Sequence, residues 1–352
     1  NRPEGFDGDV WQFYGVPPNF RRVTLPTPLT LRLSGMRRLA RGIRALPLVI
    51  WLAARSRPGA ERFVVYSRSM LGAWLAVRLR RMWGSRSACQ GVFLELHDAP
   101  SEDARRTLRD ADGLVTISDV LRRHLVDGRW CTAMGVLVEH DGVDPRSVDS
   151  AADGHAVRCR LGIDDDLTIV GYTGRVNAGK GINTILEAAS RLQRASAHFL
   201  VVGKQYDADA EATARGLGNV TITGFVPPSA VPSYLAACDI LAMPTSATLP
   251  YSRFTSPLKL FEYMASGRPI VCSDLPVLRE VLRHMQNAVL VPPDDPASLA
   301  DAIERLMEDP TLRRSLAKQA LLDAQEHTWD KRAARLLSWI ETRSPRPRLS
   351  SP

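Results

Sequence analysis

Arg175 and Lys180 stand in YTGRVNAGKGINTILEA (172–188), where an apolar run ends in a loop punctuated by Gly174, Gly179 and Gly181 and a helical stripe follows. Glycines let the backbone approach a ligand closely, and two cations on such a loop suit a pyrophosphate: arginine offers a fork, lysine a point charge. A βα turn with a surface arginine and lysine accounts for the pair equally well. A second segment, RFTSPLKLFEYMASGRPIV (253–271), has the form of an abrupt helix start. Ser256 is placed to cap it, and Pro257 sits where a missing N–H costs nothing. Leu258, Phe261, Met264 and Ala265 recur at helical spacing as the buried face, and Gly267 and Pro269 end the helix. First-turn N–H groups favour an anion, with phosphate the obvious guest. Glu262 lies about a turn further in, where an unpaired carboxylate is costly. A ribose diol would satisfy it; so would a neighbouring arginine, in an ordinary capped core helix. The third segment, ELHDAP (95–100), puts His97 and Asp98 at a strand end, where a histidine can donate to or accept from a reacting group. A structural turn histidine is the plainer account.

These segments need strands and helices to carry them. From residue 168 onward, short β-branched runs (TIVGYT, HFLVVG, VTITGFV, DILAMPT, PIVCSD, AVLVPP) alternate with helical patterns, which predicts a parallel sheet covered by helices on both faces. The first half reads similarly, with RFVVYSR, GVFLELHD, GLVTIS and VLVEHDGVD as strands and helices over 69–82 and 119–126. The fold class is therefore α/β, with two Rossmann-like domains facing a cleft at their strand ends, where open α/β proteins place ligands. The expected divisions are an N-terminal domain over 1–150, a connector from Pro145 to about Asp166, and a C-terminal domain over 165–326. A terminal helix over 327–342, capped by Thr328, crosses back to the N-terminal domain, and 343–352 is a disordered tail.

A chain of 352 residues with 45% hydrophobic and 24% charged residues is an ordinary globular composition, long enough for two cores. Cys89, Cys131, Cys159, Cys238 and Cys272 are odd in number and lack metal-ligand spacing, so they read as reduced thiols of a cytoplasmic protein. No apolar run is long enough to span a bilayer. The net charge of +8 gathers early: Arg37, Arg38, Arg41 and Arg44 precede ALPLVIWLAA (45–54), and Arg78, Arg80 and Arg81 follow another apolar stretch. Such a surface can lie on anionic lipid, giving a peripheral membrane protein, or be a solvated helix face. Nucleic acid is not expected as a partner, because no aromatic interleaving accompanies the arginines.

In order, ELHD, TIS, DGVD, GRVNAGKG, VVGK, GFV and SPLKLFEYMASGRPIV resemble the retaining glycosyltransferases of family 4, a GT-B group. The resemblance runs from about Trp11 to Ile340. It implies transfer of a sugar from a nucleotide-diphosphate sugar to an acceptor hydroxyl (saccharide, lipid-linked or small molecule), with retention and no cofactor or metal. Arg175 and Lys180 would contact the diphosphate beside Gly174 and Gly203. Thr255, Ser256, Pro257, Leu258 and Lys259 would hold its other oxygens, and Glu262 would take the ribose hydroxyls. His97, with Asp98, would sit near the transferred sugar, and Ser118, Asp141 and Gly142 would line the cleft near the hinge. Retention would proceed by front-face attack, the leaving phosphate helping to deprotonate the acceptor.

Two departures stand out. Many members carry a glutamate eight residues before the one at Glu262; here that place is Phe254. The family's first strand and glycine-rich loop are also not visible, and are expected upstream of Asn1. A catalytically silent GT-B subunit is the rival reading from another class.

Overall fold

The computed structural model describes residues 48–148, 153–204, 208–248 and 250–344. Arg37, Arg38, Arg41 and Arg44 and all but the first two residues of the expected tail lie outside them. The described residues up to Glu139, together with those from Ala334, form one compact unit; residues 140–333 form the other.

The first unit is built on four parallel strands, β1 (Phe63–Ser67), β2 (Cys89–Leu96), β3 (Gly113–Thr116) and β4 (Val136–Val138), in the order β1-β2-β3-β4. Strands buried on both faces read as continuous apolar runs, and β2, with all but one residue buried, does so. Its helices are α1 (residues 48–56), α2 (Met70–Trp83), α3 (Arg105–Asp110) and α4 (Asp119–Asp127). Leu52 of α1 packs with Leu75 and Leu79 of α2.

The second unit carries a six-stranded parallel sheet of order β10-β9-β8-β5-β6-β7. Its strands are β5 (Thr168–Thr173), β6 (Ala197–Val202), β7 (Val220–Ile222), β8 (Ile240–Met243), β9 (Ile270–Ser273) and β10 (Val289–Val291). Around them lie α5 (Gly154–Leu161), α6 (Ile182–Arg191), α7 (Ala208–Leu217), α8 (Val231–Ala237), α9 (Leu258–Ala265), α10 (Pro296–Glu308) and α11 (Pro310–Ala324). The sheet order reverses beside β5, between β6 on one side and β8 on the other. That reversal is the switch point where such sheets open a crevice. Tyr172, Ile182, Ile185, Phe199 and Ile303 belong to the core beneath it.

The last helix, α12 (Trp329–Arg343), starts in one unit and ends in the other. Thr328 caps it, accepting from Lys331 N at 3.2 Å. Near its end, Trp339 packs edge-on against Phe93, ring centroids 5.6 Å apart, over Gly113, where a Cβ would meet the ring at 2.3 Å.

The structure corrects three local expectations. The stretch read as a connector holds α5, whose N-cap Asp153 accepts from Ala156 N at 2.9 Å. Arg158 ties α5 to Ala237 O, Leu167 O and Asp239. Only Val157 among its eight residues is buried, so no apolar period announced it. Ser256 does not cap α9: Pro257 takes the N-cap position, and no side chain caps the turn. The Ser256 hydroxyl instead accepts from Asp141 N, 115 residues away, at 3.1 Å. Leu258 is 51% exposed rather than buried, and α9 buries Leu260, Phe261, Tyr263, Met264 and Ala265.

Candidate functional site

A cavity of about 810 Å³ opens at the carboxyl end of β5 and β6, within the unit of residues 140–333. Strand β5 ends in Thr173, and the next three residues turn away over Gly174, which has a φ of 127°. Tyr263 of α9 fixes that turn: its hydroxyl accepts from Thr173 N at 2.7 Å and from Thr173 Oγ1 at 3.3 Å. Gly203 at the end of β6 has no room for a side chain, because a Cβ there would lie 1.8 Å from Gly174 O. The two βα turns therefore touch through backbone, leaving their cations to line the space above. Asn177 caps the short turn Ala178–Lys180, accepting from Lys180 N at 3.1 Å, and so holds Lys180 beside the loop.

Arg175, Lys204, Lys259 and Glu262 are the charged residues in the lining; Phe225, Val226 and Val231 are the bulk of its apolar side. The Lys259 ammonium lies 3.8 Å from the centroid of the Tyr172 ring and 3.0 Å from where a Cβ on Gly174 would be. Burial first, and the Lys180 charge second, push the Lys259 pKa down to about 7, against the opposing pull of Glu262 and Cys272. Lys180 is lowered for the same reasons, burial and then Arg175. Glu262 is raised by burial, and Lys259 is the charge that opposes it; among the described residues no arginine pairs with it. Two lysines with depressed pKa values, the nearby Arg175 and one desolvated carboxylate are held close by the fold, an arrangement that accommodates a polyanion bearing a hydroxylated neighbour. The first turn of α9, with no capping side chain, adds backbone donors beside Lys259.

The structure thus brings Gly174, Arg175, Gly203, Lys259 and Glu262 together at the cavity, whereas Lys180 is not a lining residue and acts on Lys259 through its charge. Thr255 and Pro257 are half-buried at the start of α9, while the exposed Leu258 side chain is not among the cavity-lining residues. Asp141 is joined to Ser256 by the hydrogen bond already described. Gly142 is packed so that a Cβ would meet His327 O at 2.8 Å. Phe254 is 5% exposed, with Arg253 stacked 5.3 Å from its ring.

His97, Asp98 and Ser118 belong to the other unit. Ser118 is fully buried and caps α4, accepting from Leu121 N at 3.3 Å. Asp98 is exposed and accepts from Ala99 N at 2.8 Å. His97 Nε2 lies 2.5 Å from Glu95 Oε1, and its Nδ1 lies 3.1 Å from an Arg68 guanidinium nitrogen. Sequence reasoning missed Glu95, although it stands two residues before His97, near the end of β2. It also missed Lys204, Phe225 and Val226, whose signal was present in VVGK and GFV, and Val231 at the start of α8, which neither motif contains. Among the described residues, no three His, Cys, Asp or Glu side chains cluster as a metal site, and no helix is long and apolar enough to cross a membrane.

Two parallel-sheet units of this kind define the GT-B α/β fold, and solved structures agree. HepE of Anabaena, in complex with UDP, superimposes with a TM-score of 0.69 at 20% identity, over 86% of this chain and 84% of that one. Sucrose-phosphate synthase of Thermosynechococcus elongatus gives a TM-score of 0.70 at 21% identity, over 91% and 82%. Residues 168–309 match the family described as Glycosyl transferases group 1. Alpha-D-kanosaminyltransferase of Streptomyces kanamyceticus is 32% identical over 50% of this chain, which spans 45% of that relative's length. A D-inositol 3-phosphate glycosyltransferase of Stackebrandtia nassauensis is 27% identical over 85% of this chain and 73% of its own.

Proposed function

We propose that the protein is a glycosyltransferase that moves a sugar from a nucleotide-diphosphate sugar to an acceptor hydroxyl with retention of configuration. The observation that carries this reading is the meeting of Arg175, Lys259 and the uncapped first turn of α9 at one cavity, with the Lys180 charge close behind, beside a carboxylate that has no arginine partner among the described residues. The diphosphate takes the cations and the helix donors. The ribose hydroxyls donate to Glu262, and the base lies on the apolar side formed by Phe225, Val226 and Val231. That HepE binds UDP supports uracil as the first base to test.

In the reaction, the bond from the anomeric carbon to the phosphate oxygen breaks and the acceptor oxygen bonds to the same face. The acceptor's proton passes to the departing phosphate. The protein's main work is to stabilise the charge that builds on that phosphate, with no cofactor beyond the donor. His97 is assigned to the transferred sugar on the family resemblance.

A thermal-shift panel of nucleoside diphosphates and their sugars tests the donor: a ligand at a hundred times its Kd adds about 2.7 kcal/mol of stability. Arg175→Ala and Lys180→Ala should each lower kcat/KM by roughly a hundredfold while still folding. A panel without a stabilising nucleotide, or full turnover in either variant, sinks the reading.

The partner surface proposed for the first unit is anionic lipid. Leu71, Trp74 and Met82, exposed along α2, share its outer stripe with Arg78, and Trp83 is exposed beside them. Arg57, Arg62, Arg78 and Arg86 pair with no carboxylate among the described residues. Tryptophan with arginine suits the headgroup region. Co-sedimentation with phosphatidylglycerol vesicles but not with phosphatidylcholine vesicles, lost in Trp74→Ser, is the expected result; equal behaviour with both lipids refutes it.

A further inference from the structure

The ring of His97 is clamped from both sides. Glu95 is 4% exposed, and Tyr66 donates its hydroxyl to Oε2 while Oε1 faces His97 Nε2 at 2.5 Å. On the other side, an Arg68 guanidinium nitrogen stands 3.1 Å from Nδ1, and Arg68 Nε is 3.7 Å from Glu95 Oε1. A guanidinium has donors only, so Nδ1 must be the acceptor in that contact; an ionised carboxylate accepts only, so Nε2 must carry the hydrogen. The tautomer follows from its partners. Strand geometry supports the arrangement: Tyr66 pairs in register with Phe93, two residues before Glu95 on the same face of β2, and His97 follows directly after the strand's last residue.

We propose that Glu95 is a positioning residue that locks His97 as its Nε2–H tautomer, leaving Nδ1 as an acceptor that a substrate hydroxyl claims from Arg68. The Arg68 side chain is 67% exposed, so it can leave, whereas Glu95 cannot. His97 then receives a hydrogen bond from the sugar or acceptor rather than donating one. This last step rests on the proposed glycosyl transfer; the tautomer does not.

The test uses the full chain with ¹⁵N-labelled imidazoles. Seven histidines give seven pairs of ring-nitrogen signals, and His97→Gln identifies the pair that belongs to His97. The wild type should show a single Nε2–H tautomer. Glu95→Leu should collapse it to an exchanging mixture, and Glu95→Gln, whose carbonyl oxygen still accepts, should restore it. With an active donor, Glu95→Leu should lower kcat by ten- to a hundredfold with little change in donor KM. Should Glu95→Leu not fold, the wild-type spectrum still decides: an Nδ1–H tautomer overturns the proposal, as do His97 signals that Glu95→Leu leaves unmoved. An Nε2–H ring in a chain that transfers no sugar supports the lock and rejects the function.

Discussion

Lys259→Met should stabilise the protein, and by an amount that depends on pH. In the unfolded chain Lys259 titrates at its ordinary value of 10.5; in the fold it is pushed down to about 7. Below pH 7 the lysine is charged in both states, and the folded state bears the full penalty of burying that charge. Between pH 7 and 10.5 the unfolded chain holds a proton that the folded one has released, so stability rises with pH; above 10.5 the penalty is gone. Each pKa unit is worth 1.36 kcal/mol, which makes about 5 kcal/mol the ceiling over the whole range. Lys259 is only half-buried and its cavity admits water, so roughly 2 kcal/mol between pH 6 and pH 9 is the working figure. For a unit of this size that is about 4–8 °C in Tm. The assay is thermal unfolding of wild type and Lys259→Met across that interval. The variant's advantage should be greatest at pH 6 and shrink toward pH 9. Burial raises both the Cys272 thiol and the Tyr263 hydroxyl far enough that neither ionises between pH 6 and pH 9, and losing Lys259, which pulls Cys272 down, only raises that thiol further, so neither adds to the difference. A Tm difference that does not change with pH refutes the reasoning.

Gly203→Ala should lower stability by more than 2 kcal/mol and remove any nucleotide-induced shift, because its Cβ would enter Gly174 O; urea unfolding with and without UDP measures both. Glu262→Gln should be at least as stable as the wild type at neutral pH, since burial disfavours the carboxylate, yet bind nucleoside diphosphates about tenfold more weakly than wild type, as titration calorimetry would show. Trp339 is half-buried, so Trp339→Ala should cost about 2–3 kcal/mol, below the range for a fully buried tryptophan, through the hole it leaves over Phe93 and Gly113, read by denaturant unfolding of the full chain.

The strand pattern was plain in the sequence because parallel strands are apolar on both faces: TIVGYT is β5 residue for residue, and β8 and β9 fall inside their apolar runs. The loop cations and Glu262 were legible from the chemistry of glycine turns and helix starts. What the sequence hid was set by distant partners. Local grammar makes Ser256 a cap, but Asp141 N takes its hydroxyl. Lys259 was expected at the diphosphate, but its seat on the Tyr172 ring and against Gly174 shows only once those residues are folded around it. Glu95 looks like a break in an apolar strand, and its purpose shows only when His97 and Tyr66 close on it.

The route of α12 carries a consequence for synthesis. The four-stranded sheet of the first unit is complete when β4 leaves the ribosome at Val138, but its Phe93 and Gly113 await a tryptophan some two hundred residues further on. At ordinary translation rates of about 5–20 residues per second, that gap lasts roughly 10–40 s. Through that interval the nascent unit exposes an apolar socket, a natural holding point for a chaperone.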